Sequence, residues 1–314
     1  MPTTSRVCPA CRTLNGPRES RCYRCGRRLP GPLATWVSNS FGGEQLATRG
    51  LVLACLIVFA LAIVTDGSFP LAPELGLPGR FRVSTFARFG ALFPPLFSPW
   101  QLLSAVFFHA SVLHIAFNMM ALVSFGRVLE QRFGAARALL LFILAGVAGF
   151  VVSLWWYGPF GPPTAGASGG VFGQLGGILG IAIARRDRQW KEMLVQNLAL
   201  ALILALAQSV NTAAHLGGFA VGILLGFLFE REPRRELVTQ LFGALAIVSV
   251  LASVAAVGAS MTSPLWREIR QEELLRLSAL GSQGARGAKP TREPPVEPPE
   301  LESRPIQLPS SATA

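Results

Sequence analysis

The chain has 314 residues, of which 51% are hydrophobic and 14% are charged, and few soluble globular proteins of this length are so apolar. This composition predicts a membrane protein embedded in a lipid bilayer. The net charge is +11, and the Arg and Lys residues lie in short clusters between apolar runs and in the N-terminal region. Because that distribution is typical of cytoplasmic loops, we expect no nucleic-acid partner.

Four of the five cysteines form two CxxC pairs near the N-terminus, Cys8 with Cys11 and Cys22 with Cys25. Four thiolates at this spacing are typical of a closed structural Zn²⁺ site, so residues 1–28 are predicted to form a small zinc ribbon. Redox-active or disulfide-bonded cysteines are the alternative. Thiolates that must stay reduced favour a cytoplasmic N-terminus, and the ribbon either binds a protein partner or only stabilises itself.

Residues 29–49 are rich in Arg, Gly, Pro and Ser and are predicted to be a linker. Seven apolar runs then predict seven membrane-spanning helices. They cover residues 51–64, 102–125, 138–157, 168–184, 193–207, 213–229 and 238–257. The connection 66–99 contains many phenylalanines, so we expect it to lie in the membrane interface or to pack against the helices.

Basic and neutral connections alternate along the chain. Residues 158–167 and 208–212 contain no Arg or Lys. The connections rich in Arg and Lys are residues 127–137, 185–191 and 230–236. By the positive-inside rule the basic connections share the cytoplasmic side with the ribbon, and the helices that start near Ser168 and His215 begin at the outer face.

Ser168 is bracketed by glycines at the start of an apolar run, a placement that suits a reactive hydroxyl. The three histidines, His109, His114 and His215, lie inside or at the mouth of apolar runs, where an ionisable side chain is a functional candidate. No Asp or Glu falls inside a predicted span. Catalysis by Ser168 with His215 would therefore use a dyad rather than a triad.

Two glycine stripes explain how the serine and the histidine could meet. Glycines recur every fourth residue in both predicted helices, at Gly169, Gly173 and Gly177 and at Gly218, Gly222 and Gly226. Such stripes let the backbones of two membrane helices approach closely. The plain alternatives are that Ser168 is a small packing residue and that His215 is a hydrogen-bonded histidine of the bundle.

His114 and Asn118 are four residues apart and share one helix face. Both could donate hydrogen bonds to the oxygen of a tetrahedral intermediate, with the backbone N–H of Ser168 as a third donor. A polar pair that ties helices together is the structural alternative. His109 lies on another face and is expected to be structural.

These residues together resemble the rhomboid family of intramembrane serine proteases, over residues 51–229. The motifs are GxSG at Gly166–Gly169, AHxGGxxxG at Ala214–Gly222, HxxxxHxxxN at His109, His114 and Asn118, and Glu130-Gln131-Arg132-Phe133-Gly134. The resemblance implies an all-α polytopic membrane protein with a six-helix rhomboid-like core at residues 50–230. A seventh transmembrane helix at 231–260 and a charged, then Pro-rich tail at 261–314, expected to be disordered, would follow.

By the same resemblance, Ser168 attacks a peptide bond in or beside a transmembrane segment of a protein substrate and His215 is its base. His114 and Asn118 line the oxyanion hole, and no metal takes part in the chemistry. Two positions depart from the family pattern. Gln101 stands where family members commonly have an arginine, and that arginine is usually assigned to holding the long first loop. Asn211 stands where many members have Asp.

Two further hypotheses belong to other classes. A non-catalytic rhomboid-like protein would bind transmembrane helices, although such proteins usually lack the Ser or the His. A zinc-sensing regulator would use the ribbon to control the membrane part. Glu130 and Arg132 are expected to form a loop clamp under any of these readings, and Cys55 is expected to be a small core residue.

Overall fold

The computed structural model describes residues 6–8, 13–16, 19–27, 29, 45–73, 76–77, 79–188, 191–192, 194–196, 211–232 and 236–287. In these ranges two short antiparallel strands pair near the N-terminus, β1 (Arg6–Val7) and β2 (Leu14–Asn15). The α-helices are α1 (Leu46–Asp66), α2 (Val83–Arg88), α3 (Gln101–Ser104), α4 (Val112–Phe133), α5 (Ala135–Tyr157), α6 (Ser168–Ala184), α7 (Thr212–Arg231), α8 (Glu236–Thr262) and α9 (Leu265–Gly287). Residues 1–270 form one compact unit and residues 271–314 another.

Five of the described helices are long and apolar enough to cross a membrane, namely α1, α4, α5, α7 and α8. Helix α6 is apolar but has only 17 residues. Nearly all of them are buried, so this helix lies in the interior of the bundle. Apart from β1 and β2, the regular structure of the described part is helical, which confirms the predicted all-α class in outline. The predicted span 193–207 lies almost wholly outside the described residues, so the count of seven spans stays a prediction.

Two predicted helix starts were wrong. In both cases a buried side chain caps the first turn, and hydropathy does not detect such caps. The linker was expected to reach residue 49, yet α1 begins at Leu46, where the Glu130 carboxylate accepts the N–H groups of Ala47 and Thr48 at 2.9 Å each. The second span was expected at 102–125. The helix starts instead after Ser111, whose hydroxyl accepts the His114 N–H at 3.1 Å.

The tail was expected to be disordered, but its first part is the helix α9. Leu, Glu and Arg dominate this stretch and are strong helix formers. Glu272 and Arg276, one turn apart, lie 3.9 Å from each other. Low hydropathy was therefore a poor guide here, and residues 288–314 lie outside the described part.

Helices α6 and α7 touch backbone to backbone along the two glycine stripes, which confirms the predicted close approach. A Cβ atom at any of three α7 glycines would fall within 2.2 Å of a carbonyl oxygen of α6. The pairs are Gly218 with Gly169, Gly222 with Gly173, and Gly226 with Gly177. No side chain fits at these positions while the helices keep this separation.

The first connection packs against the helices, as one of the two alternatives predicted. The ring of Phe108 is fully buried, and its centroid lies 5.6, 5.1 and 5.9 Å from those of Phe81, Phe86 and Phe89. Cys55 is also fully buried, which confirms it as a core residue. The aromatic rings thus tie residues 81–89 to the segment that precedes α4.

Gln101 holds the next part of this connection. Its side-chain oxygen accepts the N–H groups of Phe93 and Ser98 at 3.2 and 3.4 Å, and its Nε2 donates to the carbonyl of Leu96 at 3.4 Å. The side chain is buried. A neutral amide therefore binds the loop where the family commonly has arginine.

Ion pairs join the C-terminal ends of α4, α6 and α7. Glu230 pairs with Arg132 and, at 2.9 Å, with Arg185, while Arg137 pairs with Glu232 at 2.8 Å. The basic connections that flank these helices are thus gathered at one end of the bundle. The first residue of α6, Ser168, lies at the other end of that helix.

Glu130 and Arg132 do not form a single loop clamp. Besides the two N–H groups of α1, the Glu130 carboxylate accepts the Thr48 hydroxyl at 2.7 Å, whereas Arg132 pairs with Glu230. The two side chains therefore fasten different pairs of helices, α4 to α1 and α4 to α7.

Candidate functional site

Ser168 and His215 meet at the end of the α6–α7 contact. The Oγ atom of Ser168 lies 2.8 Å from Nε2 of His215, within hydrogen-bond distance. Ser168 is the first residue of α6, and His215 lies in the first turn of α7. The contact follows from the stripes, because Gly169 and Gly218, the next small residues along, are in direct contact.

The imidazole of His215 is held by an aromatic ring that the sequence reading missed. Phe172 stacks on it with ring centroids 4.3 Å apart and an angle of 13° between the planes. Phe172 follows Ser168 by four residues and so faces the same way, which was the available signal. Among the described residues no carboxylate pairs with His215.

His109 positions the segment that precedes the serine, in agreement with the structural role expected for it. Complete burial, with a smaller contribution from the nearby His114, lowers the pKa of His109 well below its ordinary value. The neutral ring bonds through both nitrogens. Nδ1 donates to the Phe107 carbonyl at 3.3 Å, and Nε2 accepts the N–H of Ala167 at 3.3 Å.

His114 lies across Gly166 from the serine. A Cβ atom at Gly166 would be 2.9 Å from His114 Nε2 and 3.8 Å from Ser168 Oγ, so both atoms border one small space. Gly166 has φ +135°, which few other residues adopt. Its N–H donates to the Ala105 carbonyl at 2.8 Å.

Asn118 lies one turn along α4 from His114, as its spacing predicted. Its side chain is buried and its Nδ2 donates to the His114 carbonyl at 2.9 Å. This bond uses one of the two N–H groups of the amide. The structure therefore ties Asn118 to the backbone that carries His114.

Three of the four predicted zinc ligands lie together in the N-terminal segment. The sulfur atoms of Cys8, Cys22 and Cys25 are all within 4.8 Å of one another, and no disulfide bond joins them. The Sγ atoms of Cys8 and Cys25 are 3.6 Å apart, close to the spacing of sulfurs that share one tetrahedral Zn²⁺ ion. The group could hold a metal ion; Cys11 lies outside the described residues.

The family model of the Rhomboid domain matches residues 97–232. The chain is 31% identical over 141 residues to the putative rhomboid protease YdcA of Bacillus subtilis, covering 44% of this chain and 70% of YdcA. The chain belongs to the rhomboid family. This family membership and the apolar helices identify it as a multi-pass integral membrane protein.

Other rhomboid relatives are longer than the region they share with this chain. Rhomboid protease GluP of Bacillus subtilis is 30% identical over 188 residues, 57% of this chain and 35% of GluP. RHOMBOID-like protein 1 of Arabidopsis thaliana is 33% identical over 144 residues, 43% of this chain and 36% of that protein. The chain thus matches only about a third of the length of these relatives.

Asn211 forms hydrogen bonds to three segments near the Ser168–His215 contact. Its Oδ1 caps α7 by accepting the Ala214 N–H at 2.9 Å, and its Nδ2 donates to Ser153 and Thr164 hydroxyls at 2.6 and 3.0 Å. Thr164 in turn pairs with Leu92 through two backbone bonds of 2.8 and 2.9 Å. The start of the His215 helix is therefore fixed to α5 and, through Thr164, to the connections 158–167 and 66–99.

We expect Asn211→Ala to lower the free energy of unfolding by about 1–2 kcal/mol, since it removes the cap and both donated bonds. Asn211→Asp is the matched control. An aspartate keeps the cap and can accept from the Ser153 hydroxyl, so its stability should lie closer to wild type than that of Asn211→Ala. Denaturation in detergent micelles measures both, and equal losses in the two variants would contradict this role.

Proposed function

We propose that the chain is an intramembrane serine endopeptidase that cleaves transmembrane protein substrates in or near their membrane span. The distance of 2.8 Å between Ser168 Oγ and His215 Nε2 is the observation that carries the proposal. At this distance Nε2 accepts the hydroxyl proton as the oxygen attacks a peptide carbonyl. The imidazolium then returns the proton to the leaving amine, and a water molecule hydrolyses the acyl-enzyme in the same way.

The oxyanion of the tetrahedral intermediate would form over Gly166. The N–H groups of Gly166 and Ala167 are bonded to Ala105 and His109, which leaves the Ser168 N–H, at the start of α6, as the backbone donor. His114 borders the same space with Nε2. Its Nδ1 accepts the Ala110 N–H at 3.5 Å, which favours the tautomer with a proton on Nε2. Asn118 holds His114 and is the fourth residue of the proposed site.

The proposed orientation puts the N-terminus in the cytoplasm and opens the active site toward the outer face. The proposal is supported by the positions of Arg185 and Ser168 at opposite ends of α6. The Arg185 ion pair lies just after the helix, while Ser168 begins it. With the basic end in the cytoplasm, the serine lies near the opposite surface, where water can reach it.

Cleavage of a transmembrane substrate in liposomes tests the reaction. We expect Ser168→Ala and His215→Ala each to reduce kcat by at least about 1,000-fold, and the double variant to be no worse than either, because the two residues act as a unit. Undiminished cleavage by Ser168→Ala would refute the proposal.

A fluorophosphonate probe separates catalysis from binding without a known substrate. The proposal expects a covalent adduct on Ser168 in the wild type and none in His215→Ala. Failure of the folded wild type to react, together with retained binding of transmembrane helices, would instead support the non-catalytic binder.

Gly166→Ala tests the proposed oxyanion space. The new Cβ would lie 2.8 Å from the His114 ring, so we expect kcat to fall by about 100-fold or more, as when an oxyanion-hole donor is lost. Gly158→Ala is the control, because Gly158 also has positive φ (+64°) but nothing lies within 4 Å of its added Cβ. Equal kinetics in the two variants would point to backbone strain alone.

We further propose that Cys8, Cys11, Cys22 and Cys25 bind a structural Zn²⁺ ion in a ribbon that takes no part in the chemistry. Clustering of three of these thiols supports the site. Backbone bonds also fold each knuckle, with the Cys8 N–H on Thr13 at 2.9 Å and the Gly26 N–H on Cys22 at 2.9 Å. Zinc would close this segment, which has a very small core.

Elemental analysis of the purified protein tests the metal site. We expect about one zinc per chain in the wild type, strong loss of zinc in Cys8→Ser, and unchanged zinc in Cys55→Ala, whose cysteine lies in the membrane core. Equal zinc in Cys8→Ser and wild type would refute the site. Cleavage by Cys8→Ser distinguishes a structural ribbon, with unchanged kcat, from a ribbon that regulates the membrane part.

A further inference from the structure

Helix α8, which lies outside the matched Rhomboid domain, reaches the first connection through a buried polar contact. Ser260 on α8 is 1% exposed, and its hydroxyl donates to the hydroxyl of Ser104 on α3 at 3.1 Å. Ser104 is fully buried and donates to the carbonyl of Gly90 at 2.9 Å. A Cβ at Gly90 would lie 2.2 and 2.6 Å from these two hydroxyls, so three elements converge without spare room.

The junction of Ser260, Ser104 and Gly90 lies beside the residue that holds the segment before Ser168. Ala105, the neighbour of Ser104, accepts the Gly166 N–H at 2.8 Å. Gly166 in turn borders the space between His114 and Ser168. The position of Ser104 therefore sets the position of a carbonyl on which the GxSG segment rests.

A second route leads from the junction to the other half of the dyad. Gly90 is two residues from Leu92, which pairs through its N–H and C=O with Thr164. Thr164 accepts a hydrogen bond from Asn211, the cap of the helix that carries His215. Both catalytic side chains thus connect to the same buried serine pair through short paths.

An aromatic contact fastens the same end of α8. The guanidinium of Arg88 lies 4.8 Å from the ring centroid of Trp266, and Trp266 Nε1 donates to the Met261 carbonyl at 3.0 Å. Cation–π contacts of this kind are favourable when partly shielded from water. The C-terminal end of α8 is therefore attached to α2 as well as to α3.

We propose that Ser260 is a positioning residue through which α8 aligns the Gly166–Ser168 segment for attack. The inference rests on the proposed protease function for its kinetic consequence. A displacement of the nucleophile by a fraction of an ångström lowers the rate of the chemical step more than it weakens substrate binding. Helix α8 is thereby part of the framework that positions the proposed nucleophile.

Ser260→Ala is the test, with Ser253→Ala as its matched control. Ser253 lies two turns earlier on α8 and is also buried, but its hydroxyl bonds only within the helix, to the Ser249 carbonyl at 2.7 Å. For Ser260→Ala we expect kcat to fall roughly tenfold while KM stays within about twofold. Ser253→Ala should keep both constants.

Hydrogen exchange gives a readout that needs no activity. In Ser260→Ala the amides of residues 90–92 and 164–168 should exchange faster than in wild type, whereas Ser253→Ala should leave them unchanged. Unaltered exchange, or equal effects of the two substitutions, would overturn the inference, as would an unchanged kcat in an active enzyme. If the wild type cleaves nothing, the protease proposal fails and the exchange comparison alone decides whether Ser260 holds the segment.

Discussion

Backbone contact between α6 and α7 is the constraint on which the rest of the site depends. Serine and histidine side chains are short, so a hydrogen bond of 2.8 Å between them requires helices that nearly touch. A single methyl group at Gly222 would lie 2.0 Å from the Gly173 carbonyl oxygen and would force the helices apart. Because lipid supplies no hydrophobic force between helices, this geometry depends on close packing, with the Glu230 ion pairs at the other end of the two helices. Under the proposed function the glycines would therefore affect the chemistry although none of them reacts.

No carboxylate in the described part of the chain pairs with His215, so the imidazole depends on its other neighbours for its orientation. Phe172 and Ser168 lie on the same helix one turn apart, so the ring that stacks on His215 and the hydroxyl that bonds to it move together. The segment before the serine is fixed from another side, by His109 and the carbonyl of Ala105. Under the proposed mechanism, this rigid surround would take the place of the third member of a triad in orienting His215.

The regular spacing of the glycines and the rarity of polar residues in the apolar runs allowed much of this candidate site to be predicted from the sequence. The glycine stripes, Ser168 and His215 stood out because small or ionisable residues are conspicuous in an apolar chain. Contacts between distant segments were not readable, since they depend on how the helices pack. Glu130, which caps α1, is 82 residues from its partner Thr48, and Ser260 is 156 residues from its partner Ser104. Hydropathy also placed the second helix too early, because it registers apolar residues and not the break before Ser111.

The short helix α3 supplies hydrogen bonds to backbone groups of the first connection, which lies among aromatic side chains. A backbone group without a partner costs several kcal/mol in an apolar environment. Gln101 accepts two N–H groups and donates to a carbonyl, while Ser104 donates to the Gly90 carbonyl. An arginine at position 101 has no acceptor atom and could not satisfy those N–H groups. The glutamine is thus matched to this loop conformation, and the polar face of α3 supports the connection from within while phenylalanines cover it.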